Sequence, residues 1–286
     1  MNVLSLFDGI SCGQIALECA GIKYDKYFAS EIDKFAIKVT QENYPNTIQL
    51  GDITKVVAVD LPKIDLLIGG SPCQGFSFAG KGLNFEDPRS KLFFEFVRLK
   101  NEIKPNYFLL ENVVMKKEYQ KIISDLLGVE PVLINSSLVS AQSRQRLYWT
   151  NIPNITQPED REILLNDIIR GEYYADRNKS YCIDANYGKG TNFRRYYFCG
   201  SRQLVLESGY RPRILSKDTA NLTMHGDGNK WRKLTTTECE RLQTIPVGYT
   251  SSIPYTHQYE VIGNAWTVDV IAHIFSFIPK DLWQNH

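Results

Sequence analysis

The chain has 286 residues, 43% of them apolar and 23% charged, enough to bury a sizeable core as one large domain or one domain with a smaller insert. Thirty-three Lys/Arg against 32 Asp/Glu leave a net charge of +1, which by itself argues neither for nor against a polyanionic partner. No window approaches the ~18 consecutive apolar residues of a membrane span, and the first apolar run is too short, with no basic stretch before it, to be a signal peptide.

The first 150 residues alternate between strand and helix patterns. Residues 3–7 form a short apolar run that stops at Asp8-Gly9, a turn signal. Residues 14–20 read as a helix, 27–32 as a strand, and 34–44 as a helix ending before Pro45. Residues 64–68 are a continuous apolar run closed by Gly69-Gly70-Ser71-Pro72, as a buried parallel strand would be. Residues 91–103 are amphipathic at helical spacing, 107–110 form a strand ending at Glu111-Asn112, and 118–127 are helical with Gly128 as the stop. Residues 132–139 and 146–149 read as paired strands. This order predicts an α/β fold, a doubly wound Rossmann-like, mostly parallel sheet with ligand sites at the carboxyl ends of its strands.

Beyond about residue 165 the periodicity fades into a Gly-, Asn-, Tyr- and Arg-rich stretch, read as a small loop-rich domain. Residues 170–233 hold 13 Lys/Arg against 6 Asp/Glu, while the remainder holds 20 against 26. Basic charge interleaved with aromatics, as in Arg194-Arg195-Tyr196-Tyr197-Phe198, suits a surface that meets a polyanion; a solvated loop region is the alternative. Order returns at Leu234, where Thr235 and Glu238 have capping-box spacing, and residues 265–278 read as a last helix. The expected division is a catalytic and cofactor-binding domain over 1–165 and 250–286, with a second domain over 166–249.

Four groups of residues could carry chemistry. Phe7, Asp8 and Gly9 follow the first strand, where glycine lets a ligand approach the backbone. Glu31 lies 22 residues beyond Gly9, where a carboxylate can accept both hydroxyls of a ribose, and Asp52 follows the next strand. Each acid alone could be a helix cap; the ordered set describes a nucleoside site. The second group is the turn Gly70-Ser71-Pro72-Cys73-Gln74-Gly75, which places Cys73 where a strand delivers a nucleophile. Residues 75–89 after it are polar and glycine-rich, long enough to move over a substrate. The third is Glu111, a helix-capping acid or a partner of Cys73 in one pocket. In the fourth, Arg144 and Arg146 alternate along a strand, which would put both guanidinium groups on one face. The six cysteines are scattered without a Cys-x-x-Cys pair and the four histidines are isolated, so a metal site is not expected and a reducing compartment fits.

In order, Phe7-Asp8-Gly9, Glu31, Asp52, Pro72-Cys73-Gln74, Glu111-Asn112-Val113, Gln142-x-Arg144-x-Arg146, Arg241-Leu242-Gln243-x-x-Pro246 and Gly263-Asn264-Ala265 resemble the signatures of the DNA cytosine-5 methyltransferase family, over nearly the whole chain outside about 170–230. Leu92-Phe93-Phe94-Glu95-Phe96 and Trp266 are closest to the de novo type, and the lack of recognisable regulatory domains suggests a stand-alone prokaryotic or phage enzyme, hence a cytoplasmic one. The resemblance implies S-adenosylmethionine as cofactor, held by Phe7, Asp8, Gly9, Glu31, Ile32, Asp52, Ile53, Pro72, Asn264 and Trp266. It implies duplex DNA as partner, 166–249 as target-recognition domain, and a cytosine flipped out of the duplex. Cys73 would add to C6, Glu111 would hold N3, and Arg146, with Arg144 supporting, would bind O2. No membrane or metal is implied, and homo-oligomer formation stays open. The first loop, Asp-Gly-Ile-Ser-Cys-Gly, departs from the commoner Ala-Gly-x-Gly-Gly. The rival readings are a tRNA cytosine-5 methyltransferase, whose Cys-Phe-Thr signature is missing, and a non-catalytic DNA-binding homologue, in which Cys73 or Glu111 would be lost.

Overall fold

The computed structural model describes residues 1–71, 88–189, 193–210 and 230–282. The chain folds into two compact units, one of Met1–Asn135, Gln145–Pro158 and Val268–His286, the other of Ser136–Arg144 and Glu159–Thr267.

In the first unit the chain runs β1 (Asn2–Leu6), α1 (Cys12–Cys19), β2 (Lys26–Ser30), α2 (Lys34–Asn43), β3 (Ile48–Gln49), β4 (Leu66–Gly70), α3 (Pro88–Ile103), β5 (Tyr107–Val113), α4 (Lys117–Leu127), β6 (Val132–Asn135) and β7 (Gln145–Thr150). The seven strands lie in the order β3-β2-β1-β4-β5-β7-β6. Of these seven strands, only β7 runs against the other six. The chain winds outward from β1 to β3, crosses back, and winds outward again from β4. Strand order therefore reverses between β1 and β4, where carboxyl ends of a parallel sheet leave a ligand crevice.

Alternation along the strands sends Leu4, Leu6, Phe28, Leu67, Phe108 and Leu110 to one face, against Phe93, Phe96 and Leu99 of α3 and Ile123 and Leu127 of α4. Local signals set the helix ends. The Asp33 carboxylate accepts from the amides of Phe35 and Ala36 at the start of α2. Gly128, at φ 77°, stops α4.

The second unit contains α5 (Leu165–Ile168), β8 (Tyr173–Tyr174), α6 (Phe193–Cys199), β9 (Leu204–Glu207), β10 (Trp231–Lys233), α7 (Thr236–Leu242) and α8 (Tyr255–Asn264). β10, β9 and β8 form an antiparallel sheet around Tyr196, Leu204 and Leu206. The Thr235–Glu238 capping box forms as expected. The chain then returns to the first unit in α9 (Val268–Phe275), which packs on α1.

Several boundaries differ from the sequence reading, and one sheet was missed. The strand expected over 132–139 stops at Asn135, because residues 136–138 turn into a 3₁₀ helix. The helix expected from 265 begins only at Val268, since α8 ends at Asn264 and Ala265 is extended. The small sheet was missed within the loop-rich stretch because its strands are two to four residues long, too short to show a period.

Candidate active site

The carboxyl end of β1 opens into a tight loop. Phe7, Gly9 and Ser11 all have left-handed backbones, at φ 57°, 59° and 62°. Glu31, just past β2, reaches across to this loop: its Oε2 accepts from the amide of Gly9 at 2.8 Å, while its Oε1 accepts from the amides of Ile32 and Asp33 at 2.7 and 2.9 Å. The Asp8 carboxylate accepts from the hydroxyls of Tyr27 and Ser11, each at 2.8 Å. Burial pushes the Asp8 carboxyl up to about 6, the nearby Glu31 charge adding to that rise and the hydroxyls of Ser5, Ser11 and Tyr27 opposing it.

Asp52 caps the 3₁₀ turn Ile53–Lys55; its Oδ1 accepts from the Thr54 amide at 2.9 Å and hydroxyl at 2.8 Å, and these bonds, backbone first, hold it below the usual carboxylate range. Ile32 is an exposed apolar side chain, 77% accessible, beside these acids. Ile53, by contrast, is buried in the core, so only its main chain is left for a ligand.

These groups suit an adenosyl cofactor. Among the described residues, nothing lies within 4 Å of where a Cβ on Gly9 or Gly51 would stand, so both loops leave space for a ligand. Carboxylates for hydroxyl or amino groups and an apolar side chain for a base face line the same strand ends.

On the other side of the switch point, β4 ends at Gly70 and Ser71 is buried. Gly69 packs tightly there: a Cβ would press at 3.0 Å on the Leu6 carbonyl and 3.1 Å on the Phe96 ring. Asn112 donates to the Ser71 hydroxyl at 3.0 Å and fixes the last described residue before Pro72-Cys73. Pro72, Cys73 and the segment from 75 to 87 lie outside the described residues.

Glu111, on β5, pairs directly with Gly70 of β4. Its Oε1 meets the Nε of Arg146, on β7, at 2.8 Å, with side chains 11% and 15% exposed. Arg146 stands opposite Val113, so the two charged residues are diagonal neighbours on one face.

Arg144 has different surroundings from those the alternation suggested. It precedes β7 and is buried, donating to the carbonyls of Ile183 at 2.9 Å, Ala265 at 3.0 Å and Gly263 at 3.4 Å. Gln243 donates to the Ile262 and Ala265 carbonyls, both at 2.9 Å, and accepts from Gln142 at 2.7 Å and Thr267 at 3.0 Å. Gly263 packs so closely that a Cβ would stand 2.2 Å from the Asp184 backbone. This polar knot holds the turn that carries exposed Asn264 and half-buried Trp266. Gln142 and Gln243 were visible as motif letters, but nothing in their spacing revealed their pairing.

Part of the basic charge of the small unit is spent internally. Arg232 meets both oxygens of Glu238 at 2.7 and 2.8 Å and lies 4.4 Å over the Tyr173 ring. Arg177 stacks 3.9 Å over Tyr181. Lys179 donates to the carbonyls of Ser137, Ser140 and Ile163, and Arg202 to those of Asn186 and Lys189. The charge count read from the sequence therefore overstates what this surface offers a polyanion. Among the described residues, no His, Cys, Asp or Glu cluster could hold a metal, and no helix is long and apolar enough to cross a membrane.

Comparison with known proteins adds the family. The family model described as C-5 cytosine-specific DNA methylase matches residues 1–154 and 116–280. Type II methyltransferase M1.ScrFI of Lactococcus lactis subsp. cremoris is 30% identical, over 94% of this chain and 76% of that protein. Type II methyltransferase M.NlaX of Neisseria lactamica is also 30% identical, over 96% of this chain and 94% of its own. Among solved structures, the Entamoeba histolytica methyltransferase EhMeth superposes with a TM-score of 0.79 over 99% of this chain and 98% of that one, at 18% identity, a likeness of fold.

Proposed function

Since the chain belongs to the C-5 cytosine-specific DNA methylase family, and is thereby a DNA (cytosine-5)-methyltransferase, we propose that it uses Cys73 to activate a cytosine flipped out of duplex DNA. The observation that carries this reading is the Glu111–Arg146 pair, an acid and a cation held together at the end of the strand next to the one that leads into Cys73.

Cytosine C5 is a poor nucleophile. Addition of the Cys73 thiolate to C6 pushes electrons toward C5, and Glu111 at N3 and Arg146 at O2 offset the charge that this drives into the ring. Arg144 is assigned a supporting role on the family motif alone. S-adenosylmethionine supplies the methyl group. After transfer, the C5 proton leaves to a base, and elimination breaks the sulfur–C6 bond to release Cys73.

For the cofactor, Glu31 takes the ribose hydroxyls and Asp52 an amino group. Ile32 lies against the base, and the main chains of Phe7, Asp8, Gly9 and Ile53 line the site. Pro72, Asn264 and Trp266 are assigned cofactor contacts on the family motifs alone. Residues 1–165 and 250–286 carry catalysis and cofactor binding, and residues 166–249 recognise the target. The bacterial sources of the two type II relatives support a bacterial or phage origin.

Methyl incorporation from labelled S-adenosylmethionine into unmethylated duplex DNA, followed by mapping of 5-methylcytosine, tests the reading. A short repeated motif among the modified cytosines is expected. Cys73→Ser is expected to bind cofactor and make no product. Wild-type activity in that variant, or transfer to tRNA in place of DNA, would overturn the proposal.

A further inference from the structure

The loop after β1 holds two side-chain-bearing residues, Phe7 and Ser11, in left-handed backbone, a conformation that non-glycine residues keep only when their surroundings impose it. What imposes it here can be traced. The Ser11 amide donates to the Asp8 carbonyl at 3.1 Å and the Asp8 amide to the Ser30 carbonyl at 3.2 Å. The Asp8 carboxylate ties down the Ser11 hydroxyl on one oxygen and the Tyr27 hydroxyl on the other. Tyr27 comes from β2, its ring buried, and its hydroxyl reaches Asp8 because α1 passes it with a glycine: a Cβ on Gly13 would stand 2.5 Å from that hydroxyl. Ser11 also accepts from Gln14 at 2.7 Å; Gln14 in turn donates to Thr47 at 2.9 Å and accepts from Tyr24 at 2.7 Å. The loop is thus the end of a hydrogen-bonded chain that runs into the protein, with Asp8 as its charged member.

We infer that Asp8 and Tyr27 are positioning residues for the cofactor: the ionised Asp8 carboxylate, held by the Tyr27 and Ser11 hydroxyls, fixes residues 7–11 in the backbone that receives the ligand, and protonation of Asp8 slackens it. The inference rests on the reading of this loop as part of the S-adenosylmethionine site. It explains the departure from Ala-Gly-x-Gly-Gly. A carboxylate stands at the position after Phe7, and Gly13 serves the passage of Tyr27 to that carboxylate. The ionised carboxyl accepts both hydroxyl protons; once protonated, it must turn one oxygen into a donor, and one of the two bonds must reverse, re-aiming a hydroxyl proton, or break. The groups facing it are the hydroxyls of Ser5 on β1, Ser11 before α1, and Tyr27 on β2, with Tyr24 before β2 and the Glu31 carboxylate after it. Its carboxyl titrates at about 6, inside the range where the protein can be assayed.

The test is calorimetric binding of S-adenosylhomocysteine to the full chain without DNA, from pH 5 to pH 8. If only the ionised form is competent, about one-tenth of the protein qualifies at pH 5, and affinity is expected to fall roughly tenfold from its pH 8 value. Tyr27→Phe removes a donor that favours the ionised form, so the midpoint should move to higher pH and binding at pH 7 should weaken several-fold. Asp8→Asn should bind weakly with no inflection between pH 5 and 7. In steady-state assays both variants should raise the KM for S-adenosylmethionine and leave the KM for DNA in place, a split that a general loss of folding would not give. A wild-type profile in Tyr27→Phe and Asp8→Asn would overturn the inference and leave the cofactor site standing. No binding of S-adenosylhomocysteine to wild type at any pH would overturn the cofactor reading, and this inference with it.

Discussion

Replacing Asp8 by asparagine keeps the shape of a buried side chain and removes its charge, and the consequence for stability has an unusual sign. The Asp8 carboxyl is raised from 3.8 to about 6 in the folded protein. That rise corresponds to roughly 3 kcal/mol of preference for the neutral form. A group whose folded value lies above its unfolded value supports folding fully below its unfolded value, near 4, and that support is lost as pH rises through about 6. At pH 7 the wild type therefore carries most of this cost, and an asparagine, which cannot ionise, carries none.

An opposing term comes from hydrogen bonding. The asparagine carbonyl can accept from Tyr27, but its amide must face the Ser11 hydroxyl, which already accepts from Gln14. Re-aiming the Ser11 proton costs about 1 kcal/mol. The net expectation at pH 7 is a gain of about 2 kcal/mol, or about 4–8 °C in Tm for a chain of this size. Thermal melts of the ligand-free protein, followed by circular dichroism at pH 5, 6, 7 and 8, would read it. The advantage of Asp8→Asn should shrink to under about 1 kcal/mol at pH 5 and grow as pH rises. A difference independent of pH, or destabilisation at pH 8, would refute the reasoning. A variant that melts higher yet binds cofactor less well is the trade-off expected where a strained, charged loop serves a ligand.

Arg146→Ala leaves the Glu111 charge in a mostly enclosed position without its partner, so urea denaturation should show a loss of about 3 kcal/mol together with a fall in kcat/KM; an unchanged midpoint would mean that the pair is solvated. Gly263→Ala pushes a Cβ into the Asp184 backbone, which cannot yield as a flexible side chain would; a loss of about 1–3 kcal/mol is expected, and a neutral effect in thermal melts would show that α8 can shift. Arg232→Ala should lower thermal stability by removing the partner of buried Glu238, while the slope of log affinity for DNA against log salt stays put; a slope reduced by about one would place Arg232 on a phosphate instead.

The strands of the first unit were legible because each is a short apolar run closed by a turn residue, and the parallel order followed from their alternation with helices. Glu31 and Asp52 could be placed at strand ends from spacing alone, and each is found there, one bonding the Gly9 amide, the other capping a turn. Arg144 was misplaced because alternation along a strand fixes which face a residue takes only while the strand lasts, and β7 begins at Gln145. Gln243 and Gly263 were readable as letters and unreadable as partners. The bonds from Gln142 to Gln243 and from Arg144 to Ala265 span 101 and 121 residues, and side-chain hydrogen bonds at such separations leave no periodicity to detect. Tyr27 illustrates the same limit: in the sequence it is one more apolar residue of a strand, and only the glycine opposite shows that its hydroxyl has somewhere to go.

The cost of burying polar groups locates the site independently of any motif. Ionised or hydrogen-bonding groups that are out of water seldom stabilise a fold more than well-packed apolar residues of the same size would. Within the first unit, strand interiors obey that economy: Leu4, Leu67, Leu109 and Leu110 are fully buried and apolar. Ser5, Ser124 and Thr150 are buried elsewhere, but the charged exceptions gather at one edge. Asp8 and Glu31 follow β1 and β2, while Glu111 and Asn112 lie near the end of β5, and Arg146 enters β7 beside them. An apolar set could satisfy packing at these positions, but it could not keep a carboxyl near 6 beside a left-handed loop or hold an acid against a guanidinium at a strand end. The concentration of such expensive groups at the carboxyl edge, on both sides of the point where strand order reverses, is what a sheet built to hold a polar ligand there requires and what a sheet built only to fold would lack.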